Sequence, residues 1–179
     1  SMKRLATIID TLPEIRDTEM TDQSIKGIEG DIEFRDVTFT HKNAQQPTLR
    51  RINLKIEKGM TLAVVGYTGT GKSTLVNLIP RLYDVTEGQL LINGQDVRSI
   101  PLSVLRTSIG YVPQETFLFS ETIAENIRYG IDGDGADISQ PAQISQISKD
   151  VNEFPKHFET MIGERGITLS GGQKQRTSI

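Results

Sequence analysis

Cysteine is absent from these 179 residues, so neither a disulfide nor a thiolate metal site can be built from them. That absence fits a reducing compartment. No apolar run exceeds the length of a strand, so no segment here is expected to span a bilayer as a helix. An apolar signal core is missing after Ser1, and no secretory signal is expected. Charge of one sign is not concentrated either. The 20 Lys and Arg stand against 23 Asp and Glu, a formal net charge of −3, with no basic block. Nucleic acid therefore has no electrostatic footprint and is not expected as a partner. Internal repeats and low-complexity tracts are also missing. What remains is an ordinary globular composition, 36% hydrophobic and 24% charged, in a chain long enough for one domain with a core.

The most specific feature present is Gly66-Tyr67-Thr68-Gly69-Thr70-Gly71-Lys72-Ser73-Thr74, a full G-x-x-x-x-G-K-[ST] phosphate loop. Leu62-Ala63-Val64-Val65 precedes it and reads as a buried strand. Ser73 to Leu82 follows, with Leu75, Val76, Leu78, Ile79 and Leu82 at helical spacing. In a strand–loop–helix context the glycines let backbone N–H groups converge on phosphates, and the helix start adds positive potential. Lys72 can reach the β- and γ-phosphates, and Ser73 can place its hydroxyl on Mg²⁺. A chance glycine turn before a helix is the bland alternative, and the flanking pattern argues against it.

Elsewhere, Leu5, Ile8, Ile9 and Leu12 share a helical face that Pro13 ends, and Thr18 to Gly30 reads as polar linker. Ile32, Phe34, Val37 and Phe39 suggest a strand bulged at Asp36. Ile52, Leu54 and Ile56 alternate with polar residues, and Lys58-Gly59 turns toward the phosphate loop. Leu90-Leu91-Ile92 before Asn93-Gly94 is a hairpin signal. Pro101 opens a short helix through Leu102, Leu105 and Arg106, and Ile109 to Val112 reads as another buried strand. Helices are expected over Glu121 to Arg128 and Ile138 to Val151, the latter with Pro141 in its first turn and Ile144 and Ile147 inward. Gly130 to Gly135 reads as a loop between them. The pattern is an α/β core carrying a helical insertion.

Leu169-Ser170-Gly171-Gly172-Gln173 makes a second helix start with exposed N–H groups. Alone, a Ser-Gly-Gly turn is a weak signal. With its company, the chain resembles the nucleotide-binding domain of ATP-binding-cassette (ABC) transporters over nearly its whole length. The phosphate loop matches the family's Walker A motif, and Leu169 to Gln173 its LSGGQ signature, continued by Lys174-Gln175-Arg176. Tyr111-Val112-Pro113-Gln114 matches the strand into the Q-loop, and Phe117 to Ile127 the segment after it in exporters. Gly163-Glu164-Arg165-Gly166 resembles the exporter X-loop. Ser1 to Asp10 looks like the cytoplasmic extension of an exporter's last membrane helix, although Ser1-Met2 also reads as a cloning remnant.

That resemblance implies a P-loop NTPase (RecA-like) α/β core with an antiparallel β subdomain and a helical subdomain. It places a membrane-domain connector at 1–30, the nucleotide-binding core at 31–113, and the Q-loop and helical subdomain at 114–179. It implies ATP and Mg²⁺, held by Gly66, Thr68, Gly69, Thr70, Gly71, Lys72, Ser73 and Thr74, with Ser73 and Gln114 on the metal. Lys72 and Gln114 take the catalytic roles. Ser170, Gly171, Gly172 and Gln173 act on the nucleotide of a second such domain in a head-to-tail dimer. The other implied partner is a membrane domain, which sets the location at the cytoplasmic face of the inner membrane and makes the activity export. Two departures stand out. The family's Walker B strand, with its magnesium-binding Asp and catalytic Glu, matches nothing in this sequence. The position of the family's adenine-stacking tyrosine is taken by His41, whose imidazole offers a smaller face; a plain loop histidine is the alternative reading. A non-hydrolysing subunit, or a family member acting on DNA or the ribosome, stays open as an alternative at this point.

Overall fold

The computed structural model describes residues 12–131, 136–163 and 167–179. These divide into two compact units, up to Ile109 and from Gly110. The organising strand of the first is β1 (Ile32–Phe39). Its apolar pairs, Ile32/Phe34 and Val37/Phe39, are one residue out of phase, so an unbroken pleat would turn one pair to solvent. The extra residue is absorbed at Asp36, φ 49°. There the register slips on both flanks: Phe34 pairs with Leu54 but Val37 with Ile52, and Arg35 with Gln89 but Thr38 with Glu87. Phe34, Val37 and Phe39 are all buried as a result.

β2 (Leu49–Ile56) and β3 (Glu87–Ile92) flank β1, and β4 (Gln95–Asp96) completes an antiparallel sheet of order β2-β1-β3-β4. Asn93 (φ 50°) and Gly94 (φ 77°) make the two-residue turn between β3 and β4, the conformation that the Asn-Gly pair favours. α1 (Lys72–Leu78) follows the phosphate loop and buries Leu78. It ends before the expected Leu82. Pro80 has no N–H to donate to Val76 O, which Ile79 N takes instead, and Arg81 turns to φ 52°. α2 (Leu102–Thr107) starts after Pro101 and buries Leu105. Residues 12–30 belong to this unit. Leu102 N donates to Asp17 Oδ1, Asp22 N donates to Ser99 O, and Ile25 and Ile28 pack on the core. The expected helix over Leu5 to Leu12 lies outside the described residues except for Leu12, which is exposed.

Two expectations are corrected here. Leu62–Val65 is neither buried nor in a ladder: Leu62 is 40% and Val65 88% exposed. Ile109–Val112 likewise joins no sheet, and Tyr111 and Val112 are exposed. The physical reason is shared. A parallel core strand is covered only when neighbouring strands take its backbone groups and helices take both faces. Among the described residues no strand pairs with either run.

The second unit is helical. α3 (Ile123–Arg128) is capped by Thr122, whose hydroxyl accepts from Glu125 N. The helix expected over Ile138 to Val151 is broken into α4 (Ser139–Ile144) and α5 (Ile147–Val151) by Gln146 at φ 62°. Pro141 does sit in the first turn of α4. Ile147 points inward as expected, but the break turns Ile144 out, 71% exposed. α6 (Gly171–Ser178) closes the unit. Its core gathers Ile123, Ala142, Ile147, Val151, Ile162 and Leu169. Of the loop expected over Gly130 to Gly135, residues 132–135 lie outside the described ones, as do 164–166 of the Gly163–Gly166 motif.

These packing differences are measurable. Leu78→Ala should cost about 2–5 kcal/mol, as for a fully buried leucine. Leu62→Ala should cost less than about 1 kcal/mol, as for a surface position. Urea denaturation of the two variants checks this. Equal losses would mean that Leu62 lies in a covered strand.

Candidate functional site

The phosphate loop is seated on the sheet through one close approach. Thr48 N donates to Phe39 O at 2.8 Å, which closes the loop between β1 and β2 and brings Thr48 and Leu49 under the start of α1. Gly71, the N-cap of α1, lies against them at φ 88°. A methyl group on Gly71 would meet Leu49 Cδ2 at 2.9 Å and Thr48 O at 3.2 Å, in a backbone region that side chains disfavour. Glycine is required there on both counts. Gly71 O then accepts from Leu75 N at 2.9 Å and starts the helix.

The lysine folds back over the loop that carries it. Lys72 Nζ donates to Gly66 O at 2.9 Å and to Tyr67 O at 2.7 Å. Thr70 Oγ1 donates to the same Tyr67 carbonyl at 2.8 Å. An ammonium has three donors, and these contacts use two. Thr68, Gly69, Thr70 and Ser73 are exposed around it, and Tyr67 is 90% exposed with no role in the cradle beyond its carbonyl. The N–H groups of the first helical turn, from Lys72 to Thr74, have no intrahelical partners. A cation, a row of backbone donors and the exposed hydroxyls form a donor set that suits a polyphosphate. A metal cage of protein ligands is another matter. Among the described residues no group of three or more His, Asp or Glu could hold an ion. A divalent ion at this site would take the Ser73 hydroxyl as one of its ligands.

His41 lies in an aromatic cluster. Its ring lies 4.7 Å from Phe39 and 5.6 Å from Tyr83, each at 85°. Phe39 and Tyr83 tilt together at 5.4 Å. The three line a cavity of about 530 Å³, with the exposed Lys42–Glu14 ion pair at its edge. Sequence reasoning missed Tyr83. It lies 42 positions from His41, and only the return of the chain after α1 brings the two together.

The remaining candidates lie on the second unit. Gln114 is exposed in a bend. Ser170 is the N-cap of α6, in a reciprocal capping box: Gln173 N donates to Ser170 Oγ at 3.3 Å, and Ser170 N to Gln173 Oε1 at 2.9 Å. Gln173 is therefore placed inward, as part of the turn, and its Nε2 donates to Asp150 Oδ1 at 3.0 Å. Gly171 and Gly172 are exposed. A methyl group on Gly171 would meet nothing within 4 Å, and one on Gly172 only Arg176 Nη1 at 3.4 Å. The packing of this chain alone does not call for glycine at either position, although glycine weakens a helix. Their bareness leaves the first-turn N–H groups open to a group from outside.

Comparison with known proteins agrees with this arrangement. The family model described as ABC transporter matches residues 49–179. A putative multidrug export ATP-binding/permease protein, YgaD of Bacillus subtilis, is 48% identical over 153 residues, 85% of this chain and 26% of that protein. The ATP-dependent lipid A-core flippase of Syntrophus aciditrophicus is 43% identical over 178 residues, 99% of this chain and 29% of that protein. Among solved structures, a bacterial Atm1-family ABC exporter with ATP bound superposes with a TM-score of 0.88 at 35% identity. That match covers 99% of this chain and 31% of the exporter. The chain thus spans under a third of the length of these relatives. Phosphate loop, signature turn and relatives lead to one conclusion: the chain belongs to the ABC transporter family.

Proposed function

We propose that the chain binds Mg²⁺–ATP on its phosphate loop and, within the whole protein, hydrolyses it at a composite site to drive export across a membrane. The observation that carries this reading is Lys72 held over the loop carbonyls beside the side-chain-free Gly71. Lys72 exchanges its contacts to Gly66 O and Tyr67 O for phosphate oxygens, and it neutralises charge that develops there during transfer. Loop N–H groups from Gly69 to Thr74 take the remaining oxygens, Thr74 next to the α-phosphate. Ser73 would hold the metal through its hydroxyl, Gln114 is proposed as its other protein ligand, and the metal would supply charge neutralisation at the phosphates. Gln114 reports the nucleotide state to the membrane domain.

The second anion-binding turn needs a nucleotide of its own. In this reading Ser170, Gly171 and Gly172 act on the ATP of a partner ATP-binding domain in a head-to-tail dimer. The partner is a second copy or a close relative, and both dock on membrane domains at the cytoplasmic face. No helix among the described residues is long and apolar enough to cross a membrane, so that role falls to another part or another chain. His41 is the candidate for adenine stacking, and its two ring contacts in this chain are T-shaped. The 179 residues alone should bind ATP without useful turnover, since the family's Walker B carboxylates match no position here.

Three measurements test this. Lys72→Ala should weaken ATP binding by about 2–3 kcal/mol, the size of a lost charge-assisted contact. Calorimetry showing unchanged affinity would remove the site assignment. Ser170→Ala or Gly171→Asp in the whole protein should leave ATP affinity of the separated domains intact and abolish ATP-driven dimer closure. Weaker binding to the separated domain would place the signature in cis instead. For the base, His41→Ala should lower ATP affinity and His41→Tyr raise it. No change in either variant would leave His41 a loop residue.

A further inference from the structure

The signature helix has almost no apolar hold on its own unit. α6 reads Gly-Gly-Gln-Lys-Gln-Arg-Thr-Ser, without one large apolar side chain, and its buried residue is Thr177. Leu169, just before it, is buried in the core and anchors the entry of the turn. Rotation of the helix about its axis must then be set by polar contacts. The two tertiary side-chain hydrogen bonds found for α6 among the described residues both end on one carboxylate. Asp150, on α5, accepts from Gln173 Nε2 through Oδ1 at 3.0 Å and from Arg176 Nη2 through Oδ2 at 2.8 Å. The two contacts lie one turn apart on α6.

The first contact also settles which way the Gln173 amide faces. A primary amide has one accepting and one donating end. Asp150 can only accept, so it selects the NH₂ end and leaves Oε1 to receive Ser170 N. A donor at position 150 would turn the amide over, set NH₂ against the Ser170 N–H, and open the capping box. We propose that Asp150 is a positioning residue for the signature turn, fixing through Gln173 and Arg176 the direction in which Ser170 and the N–H groups of Gly171 and Gly172 face. The inference rests on the reading that this turn acts on a nucleotide. The hydrogen bond from Gln173, opposed by partial burial and reinforced by Arg176, holds the Asp150 carboxyl below its usual range. The group therefore stays a carboxylate, the acceptor-only form the geometry needs, across any physiological pH. Asp150 carries no local signal in sequence, since it lies 23 residues before Gln173.

The test uses the whole transporter and compares Asp150→Asn, Asp150→Ala, Asp150→Lys and Ser170→Ala. Asn keeps an acceptor for Gln173 and gives up the ion pair, Ala gives up both, and Lys inverts the amide. The expected result is an order in kcat for ATP hydrolysis: Asn close to the parent, Ala lower by roughly ten- to a hundredfold, Lys lowest, with nucleotide affinity unchanged throughout. A merely structural contact would instead move kcat in step with melting temperature, with Asn losing the ion pair and stability together. Should the Lys variant fail to fold, the contrast between Asn and Ala decides. Turnover at the parent level in Asp150→Ala, alongside a loss in Ser170→Ala, would overturn the positioning role alone. Turnover untouched by Ser170→Ala would overturn the nucleotide reading of the turn, and this proposal with it.

Discussion

The contact of Gly71 with Thr48 and Leu49 is the constraint on which the first unit turns. Backbone passes there with no room for a methyl group, in a conformation that glycine alone adopts freely. That approach seats the phosphate loop on the β1–β2 end of the sheet, where Thr48 N closes on Phe39 O. The bulge at Asp36 is upstream of the same point. It returns β1 to phase, so that Phe39 reaches the core directly before the loop that delivers His41 and Thr48. α1 then leaves Gly71 with Lys72 already folded over the loop carbonyls. A sheet built for packing thus doubles as the mount for a donor set.

The second unit reaches the same end by other means. Its core positions Leu169, but the turn beyond it carries no large apolar side chain and is held by hydrogen bonds and the Arg176–Asp150 ion pair. Ser170 and Gln173 satisfy each other, and Asp150 ties Gln173 and Arg176 to α5. Polar networks of this kind specify direction more than they add stability. In the proposed function, that suits an element whose bare glycines face a group brought by another molecule.

Much of this is legible in the amino-acid sequence. The two apolar pairs of β1 cannot share a face without an extra residue, and Asn93-Gly94 announces its turn. The phosphate loop is plain from glycine spacing, and the signature turn from its resemblance to a family motif in the company of the others. Other features are not. Leu62–Val65 reads as a buried strand because its composition is that of one, yet burial needs neighbours that composition cannot supply. Pro80 gives warning of the early end of α1, which the helical spacing of Leu82 overrides. The break at Gln146 has neither glycine nor proline to mark it. Tyr83 and Asp150 meet their partners only through the tertiary fold.

The central claim is that the two anion-binding turns of one chain serve different nucleotides. Co-assembly of two whole-length variants tests it most directly, one with Lys72→Ala and the other with Ser170→Ala. A head-to-tail pair made of one of each has one site with both defects and one with neither. The measurement is ATP occlusion by the mixture against each variant alone. The account predicts occlusion that appears only on mixing. Mixtures no better than their components would contradict it, and would place the phosphate loop and the signature turn of one chain on the same nucleotide.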